Sequence, residues 1–173
     1  DLERNLRRAG EMIALAARHG AKLAVLPELW AYPWFIDAVN DDARNLAQPR
    51  DGALIGAMRA LAAEHGVYLI VPWFERDGAD GPGYNAAAMI REDGELAGVY
   101  RKVHVPQVPG WEERHYFSPG DEFPVFDTPA GKVGVQLGWD VLFPEGLRAL
   151  TLAGAEIIVA PLAVTAANSD LWQ

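Results

Sequence analysis

Residues 132–160 read KVGVQLGWDVLFPEGLRALTLAGAEIIVA, and this stretch decides the fold class. Lys132 to Leu137 is a short apolar run, of the length and composition of a buried strand. Gly138-Trp139-Asp140 then lead into a helix with Pro144 near its first turn, where a missing N–H costs nothing. Leu147 and Leu150 are expected to face inward from that helix. Glu156 to Ala160 is a second buried strand. Strand, helix and strand in immediate succession indicate an α/β protein.

The pattern extends upstream. Leu2, Leu6, Ala9, Ile13 and Ala16 share one face of a first helix that stops at Gly20. Leu23 to Leu26 is a buried-strand run ending at Pro27-Glu28, and an aromatic stretch follows (Trp30, Tyr32, Pro33, Trp34, Phe35). A second helix is expected from Asp51 to His65, with Leu54, Met58 and Leu61 inward and Gly66 as its stop. Val67 to Val71 reads as a strand and Ala79 to Gly83 as a turn. Ala86 to Arg91 and Glu95 to Arg101 form a hairpin around Glu92-Asp93-Gly94. A Pro- and Gly-rich loop runs from Val103 to Glu122, and Pro124 to Asp127 is a further strand. No internal repeat or low-complexity segment interrupts this order.

The chain has 173 residues, 15 Lys+Arg and 24 Asp+Glu, for a net charge of −9. The length suits one domain with a real core. An acidic chain lacks the basic face that nucleic acid or an anionic membrane requires, so neither is an expected partner. With no cysteine, the chain has no disulfide, thiolate zinc site or thiol nucleophile. Its longest apolar stretch, Ile157 to Ala167, is broken by Pro161 and is too short to span a bilayer. The amino-terminal residues lack the apolar centre of a secretory signal, so a cytoplasmic setting is expected.

Sites in α/β proteins gather where strands end. Glu28, Lys102 and Gly138 each follow a strand. A carboxylate and an ammonium at one rim would supply a general base and an oxyanion clamp. Charged strand ends are also common, so a helix-capping Glu28 and a solvated Lys102 remain open readings. Glu112 and Glu113, beside Trp111, Tyr116 and Phe117, could line a small-molecule pocket or a solvated loop. His19, His65, His104 and His115 lack metal-ligand spacing, so no metal site is expected. No G-x-S-x-G elbow is present. Gly81 to Ala86 fits G-x-G-x-x-A but leads into a strand, which makes it a turn rather than a phosphate cradle.

Taken together, LPELW (Leu26–Trp30), YRKVHVP (Tyr100–Pro106) and VGVQLGWDVLFPEGLRALTLAGAE (Val133–Glu156) resemble the nitrilase superfamily of carbon–nitrogen hydrolases. NAAAMI before the hairpin and GWEERHYFSPGD after it strengthen the likeness. The resemblance implies a four-layer αββα sandwich, incomplete here, with residues 1–173 as a single partial domain. It also implies further chain before the first helix and after Gln173, without which apolar faces and sheet edges stay uncovered and the chain is marginally stable or aggregates.

The family's chemistry is a Cys–Glu–Lys reaction on an amide, N-carbamoyl amine or nitrile. The thiolate attacks carbon, ammonia leaves, and water cleaves the thioester. By resemblance Glu28 is the general base, Lys102 stabilises the tetrahedral intermediate, Glu113 positions the Lys and substrate, and the Trp139 N–H is an oxyanion donor. Gly138 stands where the family has its cysteine, so the chain is expected not to turn over by that route. The loop favours the N-carbamoyl amidase branch, with Trp30, Tyr32, Trp34 and Trp111 either lining an extended substrate or packing the core. A homo-oligomer without cofactor or metal is implied. The alternative is a non-catalytic relative used for ligand binding or assembly. An unrelated nucleotide-binding α/β domain explains neither the ordered motifs nor the lack of a phosphate loop.

Overall fold

The computed structural model describes residues 1–78 and 81–163. Two segments of the sequence reading fall partly outside them: the turn at Ala79–Gly83 and the end of the Ile157–Ala167 run. Helix α1 (Leu2–Arg18) opens on Asp1, whose side chain accepts from the N–H groups of Glu3 and Arg4 at 3.0 and 3.4 Å. This satisfies two of the otherwise unpaired amides of the first turn. Helix α2 (Ala53–His65) ends at Gly66, which has φ +60° and takes the left-handed stop without a Cβ penalty.

Strands β1 (Leu23–Val25), β2 (Tyr68–Arg76), β3 (Gly83–Ile90) and β4 (Leu96–Arg101) form one sheet in that order. β1 and β2 are parallel, and the β2–β3 and β3–β4 pairs are antiparallel. Strands β5 (Val125–Thr128), β6 (Gly131–Val135) and β7 (Ile157–Val159) form a second sheet, with β6 and β7 parallel and helix α3 (Pro144–Leu152) between them in sequence.

Four layers follow from which side chains meet. Ala9 and Ile13 of α1 and Leu54, Ile55, Met58 and Ala62 of α2 pack on Leu69, Val71, Trp73, Ala86, Ala88 and Ile90 of the first sheet. The alternate residues Ile70, Ala87, Met89 and Tyr100 point the other way and meet Phe126, Val133 and Val135 of the second sheet and Leu137 just past it. This is the period-2 alternation of strands buried on both faces. Leu150 covers the outer side of β6, so close that a Cβ on Gly134 would sit 2.6 Å from its Cδ2. The order is helices, sheet, sheet, helix, as the αββα expectation requires.

Several readings need correction. Neither β1 nor β7 is a fully buried strand, since each ends its sheet's strand order among the described residues and leaves Val25 and Ile157 exposed. Leu147 is 40% exposed while Leu150 is fully buried. The nine-residue helix α3 offers only a narrow stripe to the sheet, and Gly146 with Leu150 fills it. Strand β2 does not stop at Val71 but runs through Pro72 to Arg76. A proline normally argues against a central strand. Here the Ile70 carbonyl accepts from Leu26 at the last turn of the β1 pairing. Pro72 faces the same edge two residues on, past the end of β1, where its missing N–H leaves no partner unpaired. Gln48 bridges that edge at Phe74 and Arg76.

Candidate active site

Glu28 lies three residues past β1, Lys102 directly follows β4, and Glu113 opens a 3₁₀ turn, Glu113–His115. All three are buried, at 4%, 1% and 2% exposure. The Lys102 Nζ sits between the two carboxylates, donating to Glu28 Oε1 at 3.0 Å and to both oxygens of Glu113 at 2.9 Å. The open alternatives of a capping Glu28 and a solvated Lys102 are therefore excluded. Glu112 is only half-buried and pairs with Gln107 at the rim, so of the two adjacent glutamates one enters the cluster.

Three donors converge on the Glu28 carboxylate. Besides Lys102, the Asn85 Nδ2 donates to Oε1 at 2.8 Å and the Ala163 backbone N–H to Oε2 at 3.1 Å. Asn85 stands on β3 next to Lys102, whose N–H donates to the Asn85 carbonyl at 2.8 Å. Pairing of β3 with β4 thus places the amide and the ammonium side by side.

Gly138 closes the cluster. It takes φ +46°, in the left-handed region, and its N–H donates to the Pro161 carbonyl at 3.0 Å. A Cβ added there would lie 2.6 and 2.7 Å from the two Glu28 oxygens. Trp139 is in the first turn of a 3₁₀ segment, Gly138–Leu142, where an N–H has no acceptor within the helix. Glu28, Lys102, Glu113, Gly138 and Trp139 line one pocket together with Trp111 and Ala163. At about 10 Å³ it has room for roughly one water molecule. A larger cleft of 760 Å³ beside His104, Arg114 and Phe143 adjoins it through Trp139.

Burial by itself would push the Lys102 ammonium down, but the two carboxylates around it outweigh that and raise its pKa. It is a fixed positive charge. Glu113 is pushed up to about 7: burial raises it, Lys102 counters, and the Glu28 charge raises it further. Two anions sharing one cation leave a single proton to be placed. The arrangement thus provides a hydrogen-bonded carboxylate, a positive donor and a backbone corner facing one small space. It can accept a proton at Glu28 and hold developing negative charge near Lys102.

The sequence reading missed two residues. Asn85 lies within NAAAMI, which served only as context. Asp140 is fully buried and accepts from Tyr100 Oη at 2.6 Å, from Leu137 N at 3.0 Å and from His104 N at 2.8 Å, with His104 Nδ1 at 2.9 Å. It ties the Gly138 corner to β4 and to the loop after it. The signal was its place in GWD, directly after a predicted corner. Of the aromatic candidates, Trp111 lines the pocket, Trp30 and Tyr32 pack against the α1–α2 core, and Trp34 packs against the cluster that includes Ile36, Phe74 and Trp111.

The sequence model for carbon-nitrogen hydrolases matches residues 1–173. The chain belongs to the carbon-nitrogen hydrolase family. It is 41% identical over 178 residues to the citrullinase of Francisella tularensis, covering 98% of this chain and 62% of that protein. It is 38% identical over 172 residues to the N-carbamoylputrescine amidase of Solanum lycopersicum, covering 98% and 57%. The crystal structure of a carbon-nitrogen hydrolase from Helicobacter pylori G27 superposes with a TM-score of 0.89 at 34% identity, over 95% of this chain and 56% of that one. The chain thus spans about three-fifths of the curated relatives it matches. Among the described residues, no helix is long and apolar enough to cross a membrane.

Proposed function

We propose that this chain carries the base and oxyanion side of a site for amides or N-carbamoyl amines, and that Gly138 keeps it from cleaving them. The observation behind this is the closeness of residue 138 to Glu28. A side chain starting at Gly138 would meet the Glu28 carboxylate within 2.7 Å. That is closer than a carbon can sit to a carboxylate oxygen, so Glu28 must draw back to admit it, and a nucleophilic atom one bond further out would then lie beside its base. A thiol at 138 would pass its proton to Glu28 and attack the carbonyl carbon. The oxygen would take the charge facing Lys102 Nζ and the Trp139 N–H. Glu28 would return the proton to the departing ammonia, and water would then open the thioester. Glycine supplies no atom for the first bond, so the sequence stops at binding.

The relatives' names, citrullinase and N-carbamoylputrescine amidase, support a carbamoyl group as the part of the ligand facing Lys102. The test compares the chain with Gly138→Cys. Ammonia release is followed from an N-carbamoyl amine, a simple amide and a nitrile. The expected outcome is none from the parent and turnover of the carbamoyl compound by the variant. Steady ammonia release by the parent would overturn the proposal.

A second reading, a non-catalytic binding or assembly protein, is favoured by one detail. The Glu28 carboxylate already occupies the space a Cβ at 138 needs, so the pocket is shaped around glycine. A folded Gly138→Cys variant that binds the carbamoyl compound without cleaving it would select this reading.

A further inference from the structure

We propose that Asn85 is a positioning residue that sorts the two buried carboxylates, making Glu28 the charged one and Glu113 the one that bears the proton. This rests on the reading of Glu28 as the base.

The argument begins with donors. Glu28 receives three hydrogen bonds from three different elements: Asn85 of β3, Lys102 after β4, and the Ala163 backbone. Glu113 relies chiefly on Lys102, which bridges both its oxygens. Each hydrogen bond given to a carboxylate favours its charged form. Lys102 serves both acids, with two contacts to Glu113 and one to Glu28, and so does not favour Glu28. The Ala163 N–H and the Asn85 amide do. Asn85 makes the shortest of the Glu28 contacts, at 2.8 Å, and is itself fully buried.

The ionisable groups lining the pocket are Glu28, Lys102 and Glu113, and the rest of its wall is Trp111, Gly138, Trp139 and Ala163. Among the described residues, no second cation lines it to neutralise the second acid. One carboxyl must carry a proton at moderate pH, and the donor count gives it to Glu113. Asn85 also favours the Glu113 anion, but that is the weakest of the influences on it. Among the described residues the Asn85 Oδ1 is buried with no partner, so the amide has an acceptor to spare. The consequence for chemistry is directional. The base facing residue 138 stays free to accept a proton while its neighbour stores one.

The test is a carbon-13 titration of the glutamate side-chain carboxyls in the whole chain, assigned with Glu28→Gln and Glu113→Gln. In the parent, the Glu113 signal alone of the two is expected to titrate near neutrality. In Asn85→Leu, Glu28 should begin to titrate in the same range, so that both carboxyls respond. A parent in which Glu28 is the near-neutral group overturns the proposal without any Asn85 variant. An Asn85→Leu protein in which only Glu113 still responds also overturns it. Should Asn85→Leu fail to fold, Asn85→Ala and the parent titration decide. The experiment uses no substrate, so its failure leaves the binding proposal standing. A failed ligand assay likewise leaves this assignment intact.

Discussion

Arg101 and Lys102 are neighbours in sequence, yet they serve different buried acids on opposite sides of the first sheet. Arg101 leaves the sheet on the helix side. With Arg50 it flanks Glu75, which is fully buried, at 2.7 and 2.5 Å, and it also reaches Asp77 at 3.0 Å. Its guanidinium lies 3.8 Å from the centre of the Tyr84 ring. The hydrogen bonds it donates to Glu75 raise its pKa, so it is charged throughout. Lys102 points between the sheets, where one cation faces two acids and a pocket. On one side two guanidinium groups meet Glu75 and the partly exposed Asp77, and the charges balance. On the other the acids outnumber the base, and a proton must make up the difference. The first arrangement holds structure together, and the second is costly unless it is used.

Removing one acid from each side tests this contrast most strongly. Glu75→Gln leaves two guanidinium groups facing a neutral amide, and removing one partner of a buried pair costs about 3 kcal/mol or more. Glu28→Gln leaves Lys102 beside Glu113, which can release its proton and take over the pairing, so a cost of only about 1 kcal/mol is expected. Urea midpoints of the two variants measure the difference. Equal losses would mean that charge count does not distinguish the two sides.

Stability against pH separates them next. Glu113 is raised from 4.5 to about 7 in the fold. The folded chain therefore holds a proton that the unfolded chain has lost. The sign follows from linkage: this contribution is complete below about pH 4.5 and disappears as pH rises through about 7. The span corresponds to roughly 3 kcal/mol at most. Glu113→Gln should flatten that slope in urea melts taken across the window, whereas Glu75→Gln should leave it in place. A parent whose stability does not fall over this range would show that the proton is not bound there.

Most of this was legible in the sequence because strand ends are punctuated. Pro27-Glu28, Arg101-Lys102 and Leu137-Gly138 each close an apolar run, and the layering brings those ends to one rim. Glu113 was legible only through the likeness to a family, since nothing local separates it from Glu112. Asn85 and Asp140 were not singled out because their roles come from cross-strand pairing and a folded corner, which periodicity does not encode. Pro72 hid the second half of β2, because the rule against proline in strands holds only where a partner strand continues. Leu147 misled because helical spacing alone does not say how wide a stripe the sheet will cover.

Asp140 supplies a third way to hold a buried acid, with a hydroxyl, two backbone N–H groups and one imidazole around it, and this sharpens the comparison. Burial and the adjacent Asp140 both raise the Tyr100 pKa, so its hydroxyl stays a donor. Tyr100→Phe should cost about 2 kcal/mol, the worth of a hydrogen bond to a charged group. The Glu113 titration should not move, since Tyr100 does not line the pocket. A shift of that titration would mean that the corner and the acid cluster act as one network.

The smallest expected effect bears most directly on the glycine. Gly138→Ala sets a Cβ at φ +46°, 2.6 Å from a Glu28 oxygen. Two costs are involved and they differ in kind. The backbone cost of a left-handed alanine is about 1 kcal/mol and is unavoidable. The steric cost depends on whether Glu28 can withdraw. Its carboxylate is the far end of a flexible side chain, although Asn85, Lys102 and Ala163 all hold it. With withdrawal the total stays near 1 kcal/mol, and the urea midpoint falls accordingly. A loss of about 3 kcal/mol, in the range of an overpacked core, would show that the three donors pin Glu28 against residue 138. The acid cluster would then be as rigid as the Glu75 cluster on the other side of the sheet, and the contrast between them would lie in charge alone.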